Sequence, residues 1–325
     1  MLPWLRLRRP RIVGLNDVNP ETEQAHESWE TPESRAESQS ESQDRKGEEE
    51  YYPSINDVLC VREFLLHFQL RKVCQHEGEE RKGKGDVATP GHTERLPVEI
   101  IDMILDHAEY WPSVETKIEG KRVIRQDQDA EILRTGGLCY ASSSPAIKPR
   151  ILPHRTVHPC RKIVFTLTAH DQGWGGSHGT RSAYEGSYSW FDAYRIPAFH
   201  PLSDDNQHQP ADLVAQYQQY YEEQRPRFEV SANFLPSKET LCCNKVAVRQ
   251  AQTRRISWHY RDALDPNSDE AKEIGAKQGR GPGTTSGQMV RAMEIGDELS
   301  VWARARFPGW MNHVEGMSVR VFWAV

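Results

Sequence analysis

The sequence of 325 residues has no pair of cysteines at the C-x-x-C spacing, although it contains six cysteines. Without that spacing neither a zinc ribbon nor a thioredoxin-type motif is indicated, and free thiols favour a reducing cytoplasmic or nuclear setting. Long apolar runs are also missing, since none approaches the roughly 18 residues that span a bilayer. We therefore predict no metal site, no cofactor and no membrane partner.

Basic residues are not in excess, which removes the main electrostatic argument for nucleic-acid binding. The chain carries a net charge of −6, and residues 21–50 alone hold eleven acidic and three basic residues. This acidic segment is rich in Ser, Gln and Glu and poor in aliphatic side chains, so it cannot bury enough apolar surface to offset the entropy of ordering. We predict that residues 1–50 form a disordered acidic region and that the rest of the chain is close to neutral.

Two helices are predicted within residues 51–112, before the main domain. Apolar residues at helical spacing begin after Ser54, an N-cap residue with Asp57 three positions later. The second helix spans residues 96–111, with Pro97 in its first turn and an acidic face opposite an apolar one. Pro112 is expected to end this helix, and residues 113–160 are predicted to be a linker.

From about residue 161 the apolar period changes from near four to two, which is typical of half-buried strands. In residues 298–307, small apolar residues alternate with Trp302, Arg304 and Arg306. We predict either that these three side chains form a cation–π ladder or that a helix covers them. Further strands are predicted at 162–169, 184–192, 227–234, 245–250, 254–261 and 318–325, with that helix at 211–224 and a loop at 262–288. This pattern predicts a mainly β fold, an antiparallel β-sandwich or jelly roll over residues 161–325.

The stretch A-H-D-Q-G-W-G-G follows the first predicted strand of the sandwich. Adjacent residues on a strand point to opposite faces, so His170 and Asp171 do not form a dyad unless the chain turns there. The glycines match no nucleotide-binding pattern and are interpreted as turn residues. Trp174 is therefore the main candidate, because a tryptophan in a loop offers a flat apolar face to a sugar or a peptide.

A second loop of this kind, Phe307-Pro-Gly-Trp310, follows the strand predicted at 298–307. We predict that the two loops form one site, in which Trp174 and Trp310 provide stacking surfaces while Asp171 and an asparagine fix polar groups of the ligand. The predicted ligand-binding residues are Asp171, Trp174, Trp310 and Asn312, with His170, His313 and Arg306 adjacent. No residue is predicted to be catalytic and none to bind a metal.

The second predicted helix resembles part of a known motif. The residues Leu96-Pro-x-Glu-Ile100, followed by Ile104-Leu105, resemble the start of an F-box, which docks substrate receptors onto the Skp1 adaptor of cullin ubiquitin ligases. The resemblance covers only this helix, residues 96–105, and the later F-box helices do not follow. It implies a Skp1-type adaptor as a partner.

A second resemblance covers about half of the chain. It is carried by three motifs in order: H-D-Q-G-W-G-G, Y-E-G-S-Y-S-W-F and W-A-R-A-R-F-P-G-W-M-N-H-V. They resemble a set found in an uncharacterised filamentous-fungal protein family, some of whose members are joined to ankyrin repeats. The resemblance implies a shared domain, similar in outline to galactose-binding-like jelly rolls, and no particular activity.

These observations favour a non-catalytic recognition module, in which loops at one end of a β-sandwich bind a protein or a carbohydrate-like ligand. One alternative is an F-box-like substrate receptor of a cullin ubiquitin ligase, with the helix at 96–111 docking the adaptor. The other alternative is a hydrolase that uses Asp171 with His170 or Asp192, since paired carboxylates can serve glycoside hydrolysis.

Overall fold

The computed structural model describes six stretches of the chain: residues 50–71, 93–118, 120–141, 150–175, 182–198 and 234–325. The acidic region up to residue 49, the helix predicted at 211–224 and most of the strand predicted at 227–234 lie outside the described residues. The five cysteines within the described stretches are free thiols. No helix in these stretches combines the length and the apolar composition that crossing a bilayer requires.

The larger of two antiparallel sheets, sheet one, is built around β11 (Met311–Trp323). β3 (Ser113–Lys117) and β4 (Arg122–Arg125) pair along one side of β11, and β6 (Cys160–His170) pairs along the other. β9 (Gln252–His259) pairs with β6 at the edge of the sheet. The strand that follows the second tryptophan loop therefore lies in the centre of sheet one.

Sheet two has the strand order β5 (Gln128–Arg134), β10 (Glu298–Ala305), β7 (Ser189–Ile196) and β8 (Cys242–Cys243), all antiparallel. The two sheets pack together over one apolar core, to which both contribute alternate residues. Buried core residues include Phe165, Leu167 and Val319 of sheet one and Phe191, Val301 and Ala303 of sheet two. The predicted mainly β fold, an antiparallel β-sandwich with a few small helices, is confirmed.

The prediction that residues 113–160 form a linker is wrong. This stretch supplies β3, β4 and β5, which join both sheets of the sandwich. In the described residues each of these strands pairs with a single neighbouring strand, so many of their side chains remain exposed to water. The alternation of apolar and polar residues along them is therefore weak. In β3 and β4 together only Ile124 is buried, which is why a strand pattern was not visible in the sequence.

The first helix lies where its cap predicts. α1 (Ile55–His67) begins with a reciprocal capping box: the Asp57 N–H donates to the Ser54 hydroxyl, and the Ser54 N–H donates to the Asp57 carboxylate. A two-stranded ribbon of β1 (Gln69–Arg71) and β2 (Thr93–Arg95) follows. Val58 of α1 belongs to the core of the sandwich. Residues 52–325 form one compact unit, so the helical region is not a separate domain.

The second helix is shorter than predicted. α2 (Val98–His107) ends well before Pro112, because Glu109 adopts a left-handed conformation with φ of 50°. That turn directs Trp111 onto the outer face of sheet one, where it packs against Val164 and Phe322. The indole N–H of Trp111 donates to Asp106 at 2.8 Å, which ties the end of α2 to the sheet.

Three predictions in the second half need correction. The strand predicted at 184–192 begins only at Ser189, because turns occupy the residues before it. The strand predicted at 245–250 is a turn, in which Ala247 has φ of 58°. The loop predicted at 262–288 contains α3 (Asp269–Gln278), capped by Ser268 and Gly279, and a 3₁₀ turn (Pro282–Thr285); α4 (Gln288–Ala292) follows.

Candidate functional site

Two loops meet at one end of the sandwich. Residues 171–175 follow β6, and residues 306–310 connect β10 to β11. The six-membered ring of Trp174 lies against Gly309, where φ is +87° and an added Cβ would overlap the indole atom Cη2. Trp174 is 55% exposed. The structure thus brings the two tryptophan loops into contact and leaves one indole open to solvent.

Gln172 links the two loops, and sequence reasoning did not select it. Its side chain is buried, its Nε2 donates to the carbonyl oxygen of Trp174 at 2.6 Å, and its Oε1 accepts from the backbone N–H of Met311 at 3.3 Å. Because one amide satisfies a group in the first loop and the N–H directly after the second loop, it fixes their relative position. The sequence contains no signal for this role, since glutamine in a loop is usually solvated.

Asp171 does not face a ligand, so its predicted binding role is wrong. The residue is fully buried, and its carboxylate accepts backbone N–H groups of Gly173 at 2.7 Å, Ala247 at 2.6 Å and Val248 at 3.0 Å. Burial raises the pKa of Asp171, while the three N–H donors and His170 act in the opposite direction. The carboxylate holds its own loop to the neighbouring turn.

Asn312 is also an internal residue, contrary to prediction. It is fully buried, and its Nδ2 donates to the carbonyl oxygens of Trp190 at 3.0 Å and Arg304 at 3.3 Å. Its Oδ1 accepts from the Asn244 amide at 2.9 Å. Asn312 belongs to sheet one and its two carbonyl partners belong to sheet two, so this side chain joins the sheets through hydrogen bonds at the loop end.

Arg306 is buried in a network of charges and is not available to a ligand, so that prediction is wrong as well. Its Nη1 lies 2.8 Å from Asp129 Oδ1, and its guanidinium lies 5.4 Å from the ring centre of Trp190. Arg304, which is 0% exposed, pairs with Asp129 at 2.8 Å and with Asp192 at 2.7 Å. Buried charges that are paired in this way stabilise their own arrangement and leave little capacity for a ligand.

The two predicted histidines form a stacked pair below the loops. His170 and His313 face each other across β6 and β11, with ring centres 4.5 Å apart and planes inclined by 4°. His170 Nδ1 lies 2.6 Å from the carbonyl oxygen of Asp171. Burial, and then His170, lower the pKa of His313, while Asp171 and Glu315 act in the opposite direction. The pair joins the strand ends from which both loops emerge.

A run of aromatic side chains continues from the loops across this end of the sandwich. Trp310 packs edge-on against Tyr188 at 5.1 Å, Tyr188 against Phe307 at 4.5 Å, and Phe307 against Phe234 at 5.3 Å. We call these four residues, together with Trp174, the aromatic strip. Phe234 is 40% exposed, whereas Trp310, Tyr188 and Phe307 are half-buried. Trp310 therefore belongs to a chain of ring contacts, whereas the well-exposed ring of Trp174 meets the second loop at Gly309.

The residues of the hydrolase alternative are not arranged for catalysis. Asp171 and Asp192 are both buried, and the Asp192 carboxylate accepts hydrogen bonds from Trp190, Tyr194 and Thr240 besides its ion pair with Arg304. The residues at 175–179 match the G-x-S-x-G spacing of a nucleophile elbow. That motif places its serine directly after a strand, but β6 ends five residues before residue 175, and residues 176–180 lie outside the described stretches.

Comparison with known proteins assigns no family. No protein-family model, no curated protein and no solved structure matches the chain. In the stretches that the structure describes, no group of three or more His, Cys, Asp or Glu side chains is placed to hold a metal ion. The geometry of the loop end therefore carries the functional reasoning.

Proposed function

We propose that this protein is a non-catalytic recognition module that binds a segment of another protein on the aromatic strip. The observation that carries the proposal is the exposed indole of Trp174, which Gly309 and Gln172 hold in a defined position. Rigid aromatic side chains are the residues that contribute most to protein interfaces, because they offer large apolar area at low cost in conformational entropy.

A protein segment fits this surface better than a carbohydrate does. Sugar sites combine a flat ring with polar side chains that fix the ligand. Asp171 and Asn312 were predicted to hold the ligand in this way, but both form their hydrogen bonds with groups inside the protein. The exposed groups that remain, such as Trp174, Pro308 and Phe234, are apolar. Extended segments rich in proline or aliphatic residues bind aromatic surfaces of this kind.

Selection from a random peptide library displayed on phage tests this proposal. We expect the wild-type protein to enrich peptides rich in proline and aliphatic residues, and Trp174→Ala to weaken their binding by about tenfold or more. Val157→Ala is the matched control, because Val157 is a comparably exposed apolar residue before β6 and belongs to neither the strip nor α2.

Two outcomes would contradict the proposal. In one, the selected peptides bind Trp174→Ala as tightly as the wild-type protein, which would place their site elsewhere. In the other, no peptide is enriched while the wild-type protein sediments with insoluble cellulose or chitin and Trp174→Ala does not. That second result would assign the same surface to a carbohydrate.

A second candidate function rests on α2. Ile101 and Leu105 anchor this helix in the protein, while Met103 is 63% exposed and Ile100 and Ile104 are 40% exposed. An apolar face left in solvent is the expected property of an F-box-like helix that docks onto a Skp1-type adaptor. Titration of purified Skp1 by biolayer interferometry, with Met103→Glu as the variant, tests this function. Absence of binding by the wild-type protein would leave α2 as a packing element.

A further inference from the structure

A cavity of about 470 Å³ lies between the edges of the two sheets, away from the residues of the aromatic strip. It exists because β8 is only two residues long and pairs only with Trp190 and Phe191 of β7. From Asp192 onward, that edge of β7 has no strand partner in the described part of the chain, and it lines the cavity. Trp258 of β9 contributes from sheet one, and the 3₁₀ turn and α4 complete the wall.

Apolar atoms supply most of the surface of this cavity, although eight of its fifteen lining residues are polar or charged. Ala193, Met289, Val290 and Ala292 supply apolar surface, and Thr284 and Ser286 are among the polar lining residues. The volume suits a compact small molecule, and pockets of this size and character are the usual form of ligand sites in proteins.

Trp258 has a buried hydrogen-bond donor without an acceptor. The residue is 2% exposed, and no acceptor in the described residues approaches its Nε1. The other buried indoles all donate: Trp111 to Asp106, Trp190 to Asp192, Trp302 to Ser300 and Trp323 to the carbonyl of Pro153. Nε1 has almost no surface open to a water-sized group, so Trp258 lines the cavity through its other atoms.

We propose that this cavity is a small-molecule site for a neutral, mainly apolar ligand that packs against Trp258. The charges at the wall exclude an anionic ligand. Asp192 is already neutralised by Arg304, and Arg195 pairs with Asp297 and Glu294. The remaining lining carboxylate, Glu239, is exposed and lies over Gly283, where a side chain would overlap it. A carbonyl or amide oxygen matches this environment better than a carboxylate does.

Titration with the neutral fluorophore prodan, an aromatic ketone, tests the site directly. We expect saturable binding with a blue-shifted emission, and a shift of one indole cross-peak in the ¹H–¹⁵N spectrum, the peak that is absent from Trp258→Phe. Trp258→Phe removes the indole N–H and also part of the ring surface in the cavity wall, so it should weaken binding by about 3- to 10-fold.

Two further variants separate this site from the aromatic strip. Ala292→Phe fills the cavity and should abolish prodan binding while circular dichroism shows an unchanged fold, whereas Trp174→Ala should leave the binding constant unchanged. Failure of folded wild-type protein to bind prodan saturably would overturn the proposal. So would binding that neither Ala292→Phe nor Trp258→Phe weakens. Loss of binding in Trp174→Ala alone would assign the probe to the aromatic strip.

Discussion

The two tryptophan loops are similar in sequence and opposite in use. In the loop at 171–175 the tryptophan is exposed, and its aspartate and glutamine are buried in bonds to neighbouring backbone. In the loop at 306–310 the tryptophan packs against Tyr188, and the glycine before it supports the ring of Trp174. One loop therefore presents a side chain, and the other supports it. A Gly-Trp pair after a strand does not by itself tell which role a loop has.

The two glycines show the same difference. Gly173 has φ of +82°, and a Cβ there would lie 2.6 Å from Cβ and 3.1 Å from Cα of Arg249. Gly309 has φ of +87°, and a Cβ there would meet the outer atoms of an exposed indole. The first glycine is required by backbone packing within the protein. The second is required by the position of one side chain at the surface.

The largest expected effect is at Asp171. Asp171→Ala removes the acceptor of three backbone N–H groups in a buried position, and we expect it to lower the free energy of unfolding by about 3–5 kcal/mol. Urea unfolding followed by circular dichroism measures this change. Asp171→Asn is the control, because its amide oxygen can still accept a hydrogen bond. Its free energy of unfolding should fall by less than that of Asp171→Ala. Equal stability of Asp171→Ala and wild-type protein would contradict the structural role.

The glycine substitutions should differ in size. Gly173→Ala combines a strained φ with overlap against Arg249, and we expect a loss of about 2–4 kcal/mol. Gly309→Ala should lose about 1–2 kcal/mol, because the exposed indole can swing away from the new methyl group. Unfolding curves give both values, and tryptophan emission should change for Gly309→Ala. A larger loss for Gly309→Ala would mean that the ring of Trp174 is held more firmly than its exposure indicates.

Substitution of the two tryptophans should affect different properties: the stability of the protein at Trp310 and the solvent-accessible fluorescence at Trp174. Trp310→Ala removes half-buried packing against Tyr188 and should cost about 2 kcal/mol, whereas Trp174→Ala should stay within about 0.5 kcal/mol of wild type. Acrylamide quenching checks the other half of the comparison. With Trp4 and Trp29 of the segment predicted to be disordered replaced by Phe, we expect Trp174→Ala to lose the most accessible emission component and Trp310→Phe to retain it. The reverse result would exchange the roles assigned to the two loops.

The smallest effect concerns the histidine pair beneath both loops. Folding lowers the pKa of His313 below its ordinary value of 6.5. The imidazole of His313 therefore binds a proton more readily in the unfolded chain than in the folded protein. The neutral His313 therefore contributes to the stability of the folded protein above pH 6.5, and this contribution is lost as the pH falls below 6.5. We expect wild-type protein to lose more stability between pH 8 and pH 5 than His313→Gln, in unfolding curves recorded at several pH values. A parallel loss in both proteins would show that the pair is not coupled to folding.

Much of the fold could be predicted from the sequence, because alternation and caps act locally. The strands at 160–170, 252–259 and 298–305 lie within about two residues of their predicted positions. The strands before residue 160 were missed, since a short strand with one neighbour keeps polar residues on both faces and resembles a linker. α3 was hidden in a stretch of glycine and lysine, although Ser268 and Gly279 are good cap residues.

The candidate site was predicted less well, for a different reason. The position of Trp174 and Trp310 in glycine loops predicts a shared site, and the structure brings the two loops into contact. Asp171 and Asn312 were selected on residue type, and both prove internal. A carboxylate or an amide in a loop can bind a ligand or satisfy backbone groups, and its partners here come from a segment some 70 residues away.

By itself the sequence determined a two-sheet sandwich, a capped first helix and two loops that contain a Gly-Trp pair, because these depend on the spacing of apolar residues and on neighbouring cap residues. Only the tertiary structure decided which polar side chains close the loops, which indole remains exposed and which buried donor has no acceptor. These properties depend on groups that are distant in the chain, and they become defined only when the two sheets pack together.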